Sequence, residues 1–186
     1  DWSLLAWQAD VDHVMDNFSL REPGMMKMET LSETRTQGAR LVVDQTFNYT
    51  KELSFGVDVE SNEWDATLRN LSDPNKPDVM MWPDVKRDRI GVFVEGAHQI
   101  RANTKLGAGI RYDRVEMQSA LASQADANDD NVSGFLSGEW RLSSINTLEA
   151  VASHSVRSPG VNERYVNKDT MMMGAWIGNP DLETEK

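Results

Sequence analysis

At 186 residues, with 39% hydrophobic side chains and a mean hydropathy of -0.54, the chain fits one domain and contains no apolar run long enough for a transmembrane helix. Its formal net charge of -11 is the wrong sign for a nucleic-acid surface, where cations must replace the counterions of phosphate. The absence of cysteine excludes disulfide frameworks and thiolate metal sites. Low hydropathy leaves a transmembrane barrel open, because barrel strands alternate apolar and polar residues. No basic and apolar leader is read at Asp1, so the chain is expected to begin inside a larger protein or to be a processed piece.

Short runs of period-two alternation recur throughout, while helical periodicity is scarce. Strands are predicted over residues 3–14, 34–47, 53–64, 88–98, 105–117, 132–142 and 147–156. In the first, Leu5, Trp7, Ala9 and Val11 share a face that strict alternation extends to His13 and Met15. In the third, Leu53, Phe55, Val57 and Val59 oppose Ser54, Asp58 and Glu60. The fifth sets Leu106, Ala108, Ile110 and Tyr112 against Lys105, Arg111 and Asp113, and the sixth sets Val132, Leu136 and Trp140 against Ser133, Ser137, Glu139 and Arg141. A cation facing lipid at mid-depth costs roughly 2–4 kcal/mol, so one clean face over about 9–11 residues suits a bilayer. The other face, which also carries Glu95, suits a wet lumen or a domain docked in it. Alternation by itself favours a soluble sheet with one solvated face, the more abundant class.

The connections decide between these. Those at 48–52, 99–104 and 143–146 are short, whereas 16–33, 65–87, 118–131 and 157–186 are long. Short and long turns therefore fall at opposite ends of the sheet, as tight periplasmic turns and extended outer loops do in outer-membrane barrels. Trp2, Trp7, Phe47, Tyr49, Trp64, Tyr112 and Trp140 lie near predicted strand ends, where an interfacial aromatic belt would place them.

Near the end of the chain, Arg157-Ser-Pro159, Glu163-Arg-Tyr165 and Gly178-Asn-Pro-Asp-Leu-Glu-Thr-Glu185 follow one another. They resemble the late-barrel "R-x-P", "E-x-Y" and "G-N-P-x-L-x-x-E" segments of TonB-dependent outer-membrane receptors. Arg89-Ile-Gly-Val-Phe-Val-Glu95 and Gly109-Ile-Arg-Tyr-Asp113 resemble a strand pair common in the same family. The resemblance implies an all-β fold: an antiparallel, up-and-down transmembrane β-barrel segment, with about seven strands of a barrel of about 22. It implies a partial barrel domain over residues 1–186 with the plug domain absent from the chain. It further implies the outer membrane of a Gram-negative bacterium, contact with outer-membrane lipid, and coupling to the TonB system through the missing plug. No catalytic set or phosphate loop is found, and no enzyme or resident cofactor is expected.

All ten methionines fall in predicted long loops or at the strand ends that feed them: Met15, Met25, Met26, Met28, Met80, Met81, Met117 and residues 171–173. Core-filling methionine would be expected inside strands. Thioethers and imidazole suit Cu(I); a single cluster is better explained by apolar loop packing or a partner surface, and three clusters on one rim bring copper level with that reading. Asp12-His-Val-Met-Asp-Asn17, followed by Met25-Met-Lys-Met28 and the strand Thr36 to Leu41, resembles the copper-type branch of the family. That resemblance makes His13 and Met15 metal ligands, shared with groups of the plug, with Met25, Met26 and Met28 as further candidates and copper as the transported ion. Strict alternation aims His13 and Met15 at lipid, so a bulge or a turn of the strand is expected to re-aim them.

His154 is a further candidate for the rim, and His98, near a short turn, is not. Residues 125–130 lack the Gly and Glu of a calcium loop and read as a solvated acidic loop, as Glu163, Asp181, Glu183 and Glu185 read as surface charge. The competing readings are a siderophore receptor of the same superfamily, in which the loop methionines only pack, and a soluble β-sheet binding module or adhesin.

Overall fold

A computed structural model describes residues 1–48, 50–170 and 174–186. Seven strands run in chain order through one sheet: β1 (Trp2–Asp16), β2 (Met28–Asn48), β3 (Lys51–Asn70), β4 (Val79–Arg101), β5 (Thr104–Gln118), β6 (Ala127–Arg141) and β7 (Thr147–His154). Every neighbouring pair is antiparallel, so the architecture is up-and-down. A short helix, α1 (Val161–Arg164), and a hairpin of β8 (Asn167–Thr170) and β9 (Gly174–Ile177) follow. Among the described residues no helix is long and apolar enough to cross a membrane, a statement that does not bear on strands.

The register sorts side chains as alternation predicts. Leu41, Val57, Val92, Tyr112 and Val132 lie in one cross-strand row, and Val43, Phe55, Val94 and Ile110 in the next row on the same face. Most of these apolar side chains are about half exposed, with nothing among the described residues covering them. The rows through Asp58, Asp113 and Asn131, and through Glu60, Arg89 and Asp129, belong to the opposite, inner face.

The strands outrun their predicted lengths at the long-loop end, where β4 begins at Val79 rather than at residue 88. A strand of 23 residues is about 75 Å long at ~3.3 Å per residue, and far exceeds an apolar band of about 25 Å even when tilted. Above the band the outer face turns polar, with Arg35, Glu63, Lys86, Asp88, Arg114 and Glu116. These charges hide the strand extensions from a search for apolar alternation.

The extended ends are where the core forms. Val85, Val115, Met117 and Ala127 on the inner face pack against Val161 and Tyr165 of the C-terminal segment, with Trp64 and Trp82 alongside. Met117 is thus a core residue, 1% exposed, contrary to its expected place at the rim. Trp7 and Trp64 also face inward, being cross-strand from Gly38 and Thr34, and so do not belong to an interfacial belt. Trp2, Tyr112 and Trp140 do lie on the outer face. The expected acidic loop at 125–130 is largely strand, since β6 begins at Ala127, and Asp129 within it is buried. Tyr49 and residues 171–173 lie outside the described residues.

Candidate metal centre

The inner face is built on ion pairs that share strands. Arg111 forms a bidentate pair with Asp58 at 2.8 and 2.9 Å and also grips Asp113 on its own strand. Arg89 stands 3.3 Å from Asp58, and Arg87 stands 3.8 Å from Glu60. Phe93 lies flat across Gly56, where any Cβ would collide with its ring, and Arg40 stacks 5.0 Å from the ring centroid. These guanidiniums and carboxylates pair with one another, leaving only the buried Nε atoms of Arg87 and Arg89 without a partner among the described residues, so the network reads as lumen architecture rather than as a metal site. Among the described residues no three His, Asp or Glu side chains converge on a point that would hold an ion.

The family-like segments at the chain end form a second structure. Arg157 pairs in bidentate fashion with Glu163 at 2.8 and 2.9 Å and also with Glu185 at 2.9 Å. Glu163 accepts in addition from the Gly160 amide that opens α1. The Arg157 guanidinium, with that amide, holds the Glu163 carboxyl far below its ordinary range, at about 2. Arg164 donates two bonds to Asp129, at 2.7 and 2.8 Å, and one to the Leu182 carbonyl. The Tyr165 hydroxyl, on a fully buried ring, lies 3.2 Å from the Met117 carbonyl and 3.1 Å from that of Ala125. Gly178 lies against the backbone of Arg164 and Tyr165 so closely that a Cβ has no room. Glu163 and Glu185, expected as plain surface charge, are exposed but paired.

At the long-loop end of β1 the chemistry is different. His13 and Met15 stand opposite Ser32 and Thr30, in a β1–β2 ladder that has no bulge. Because Leu5 is cross-strand from Arg40, and Arg40 from Asp58, the odd-numbered residues of β1 face inward. His13 and Met15 therefore need no re-aiming: the face expected to meet lipid is the inner one. The error has a clear cause, since β1 is apolar on both faces, with Leu4 and Val14 outward and Leu5 and Val11 inward.

Met28, the first residue of β2, shares that inner face with Thr30, and is a diagonal neighbour of Met15. Diagonal pairs lie about 7–8 Å apart at Cα, within reach of two thioether arms. His13 and Met15, two residues apart on one face, are separated by about 6.5–7 Å along the strand. Met26 accepts a hydrogen bond at sulfur from Asn70, the cross-strand partner of Met28, at 3.5 Å. Met25, in the connection just before β2, is 83% exposed. The surrounding inner positions, Thr30, Ser32, Ala66 and Leu68, are uncharged and buried. Met80 is cross-strand from Thr67 on the outer face, so it does not join this group even though it lies at the same end of the sheet. His154 falls on the outer face in the row of Ile110, below the rim, and His98 bonds the Thr50 carbonyl at a short turn. Asn17 and Asn70, which sequence reasoning did not single out, prove to hold the methionine segment, and the final Asn of the Asp12–Asn17 motif was the available signal.

A family model described as "TonB dependent receptor-like, beta-barrel" matches residues 2–186. The chain belongs to the TonB-dependent receptor barrel family. Among solved structures this receptor barrel is similar to "Copper transporter OprC", with 26% identity and a TM-score of 0.73 over 86% of this chain and 29% of that one. It is also similar in fold to the FrpB iron transporter from Neisseria meningitidis: the F3-3 variant gives 15% identity, a TM-score of 0.53 and coverage of 83% and 28%. The apoprotein form of the F5-1 variant gives 12%, 0.52, 83% and 29%. The chain thus spans under a third of the length of these transporters. No match was found among proteins of curated function. The receptor barrel accounts for the exposed apolar rows as a lipid-facing surface, and for the inward charges as the lining of a lumen.

Proposed function

We propose that this chain is the partial barrel domain of a receptor in the outer membrane of a Gram-negative bacterium that captures extracellular copper and imports it by TonB-dependent transport. Copper is the cargo; the energy arrives through a plug region outside residues 1–186, which contacts the TonB system. The observation that carries the reading is that His13, Met15 and Met28 follow one another on the uncharged inner face at the long-loop end, Met15 standing between the other two, with the Met26 sulfur at Asn70. Imidazole and thioethers without a carboxylate among them select Cu(I) over hard cations. The similarity to a protein titled as a copper transporter supports the same assignment. Met25, 83% exposed against 49% for Met15, is a further candidate in the same connection.

The test is metal content per protein in the full-length receptor, measured by elemental analysis after exposure to Cu(I) or Ag(I). His13→Ala and Met15→Ala are expected each to lower the load, and the double substitution to abolish it, with folding and membrane insertion unchanged. Mg(II) and Ca(II) are expected to be retained poorly throughout. An unchanged copper load in the double variant would falsify the assignment.

A further inference from the structure

The segment between β1 and β2 has two parts of unlike order. Met25 is 83% exposed, while residues 26–28 are tied down on both sides. On the β1 side, the Asn17 amide donates to the Met26 carbonyl at 2.9 Å, its side-chain oxygen accepts from the Met28 amide at 2.9 Å, and its own backbone amide donates to the Met28 carbonyl at 3.2 Å. One side chain thus imitates the donor and acceptor of a peptide unit and extends the ladder past the last paired residue of β1. On the β3 side, Lys27 donates to the Ser72 hydroxyl at 2.8 Å, Leu71 donates to the Lys27 carbonyl at 2.9 Å, and Asn70 donates to the Met26 sulfur. Asp16 meanwhile accepts from the amides of Phe18 and Ser19 and turns the chain away at once.

We infer that Asn17 is a positioning residue for copper capture: it pins residues 26–28 to β1, so that Met28 stands diagonally beside Met15, which neighbours His13 along the strand, while Met25 does not take part in the site. This rests on the copper reading above and sharpens it, because it makes the three methionines of the segment inequivalent. A flexible loop would let Met25, Met26 and Met28 replace one another. A segment hydrogen-bonded on both flanks holds each sulfur to its own place. Asparagine suits the post because its short amide carries a donor and an acceptor on separate atoms; aspartate retains the acceptor for Met28 and loses the donor for Met26.

The experiment uses the full-length receptor loaded with Cu(I), comparing Asn17→Ala, Asn17→Asp, Met25→Ala and Met28→Ala for affinity and for sulfur coordination by X-ray absorption. Loss of a group that orients a ligand costs about 10–100-fold in metal affinity, and that range is expected for Asn17→Ala together with a lower sulfur count. Asn17→Asp should fall between it and the parent. Met28→Ala should lose affinity and one sulfur, while Met25→Ala should match the parent in both. Equal losses from Met25→Ala and Met28→Ala, or parental affinity and sulfur count in a folded Asn17→Ala, would overturn the inference. The methionine pair decides the matter even where Asn17→Ala fails to insert. An unchanged copper load in the His13→Ala, Met15→Ala double variant marks instead the failure of the copper reading itself, and a double variant that loses copper while Asn17→Ala keeps it isolates the failure of the positioning role.

Discussion

The C-terminal knot and the β1–β2 rim are both segments with family-like motifs, and they differ in what their polar and soft atoms do. In the knot, Arg157, Glu163, Arg164 and Tyr165 are each matched to partners within the chain, and Arg164 is 2% exposed. At the rim, His13 and Met15 are exposed, and among the described residues the His13 ring and the Met15 sulfur have no hydrogen-bond partner. A motif whose groups are satisfied internally specifies architecture; one that leaves donor atoms open at a mouth is suited to a ligand. The knot fixes the long segment after β7 onto the inner face, and the rim is left to chemistry.

Substitutions should separate the two regions sharply. Arg164→Ala leaves Asp129 buried without its partner, and breaking a buried pair from one side costs about 3–5 kcal/mol. The expected outcome is loss of protection against hydrogen exchange across residues 157–166, with metal load retained; unchanged protection would show that the pair is dispensable. Gly178→Ala forces a methyl against the backbone of Arg164 and Tyr165, which cannot yield as a side-chain tip would. Overpacking of this kind costs about 1–3 kcal/mol and should be visible as a lower unfolding temperature. Tyr165→Phe removes the hydroxyl that faces the Met117 and Ala125 carbonyls, an effect of about 1 kcal/mol on the same measurement.

Acid should loosen the knot through Glu163. Its carboxyl is depressed in the folded chain, from 4.5 to about 2, so its contribution is present above the unfolded value and is lost as pH falls through the folded one. Proteolytic nicking near residues 157–163 is therefore expected to rise between pH 4.5 and about 2, and Glu163→Gln should remove that dependence. The smallest effect on stability belongs to the rim: His13→Ala with Met15→Ala should leave the unfolding temperature at the parental value while copper is lost. A large drop in stability there would erase the contrast between the two regions.

Several elements were legible before any pairing was known. The turns at 48–52, 99–104 and 143–146 do lie at one end, and the Met25 and Met80 segments at the other, because an up-and-down sheet must alternate its connections. The faces of β3, β5 and β6 were readable because each sets apolar residues against charges. Asp129 was misread, since an acidic residue in a polar run looks solvated until Arg164, far along the chain, is placed on it. Met117 was misread likewise, for its environment is supplied by Tyr165.

The sequence by itself determined that this is an all-β chain with one lipid-compatible face and unequal ends, because a residue period of two and the cost of charge in lipid act locally along each strand. Only the tertiary structure decided which face of β1 turns inward and which methionines share it. A strand apolar on both sides carries no local signal of its orientation. The decision came from register, which matches Leu5 to Arg40 and Arg40 to Asp58, and so carries His13 and Met15 to the side where the charges and Met28 already stand.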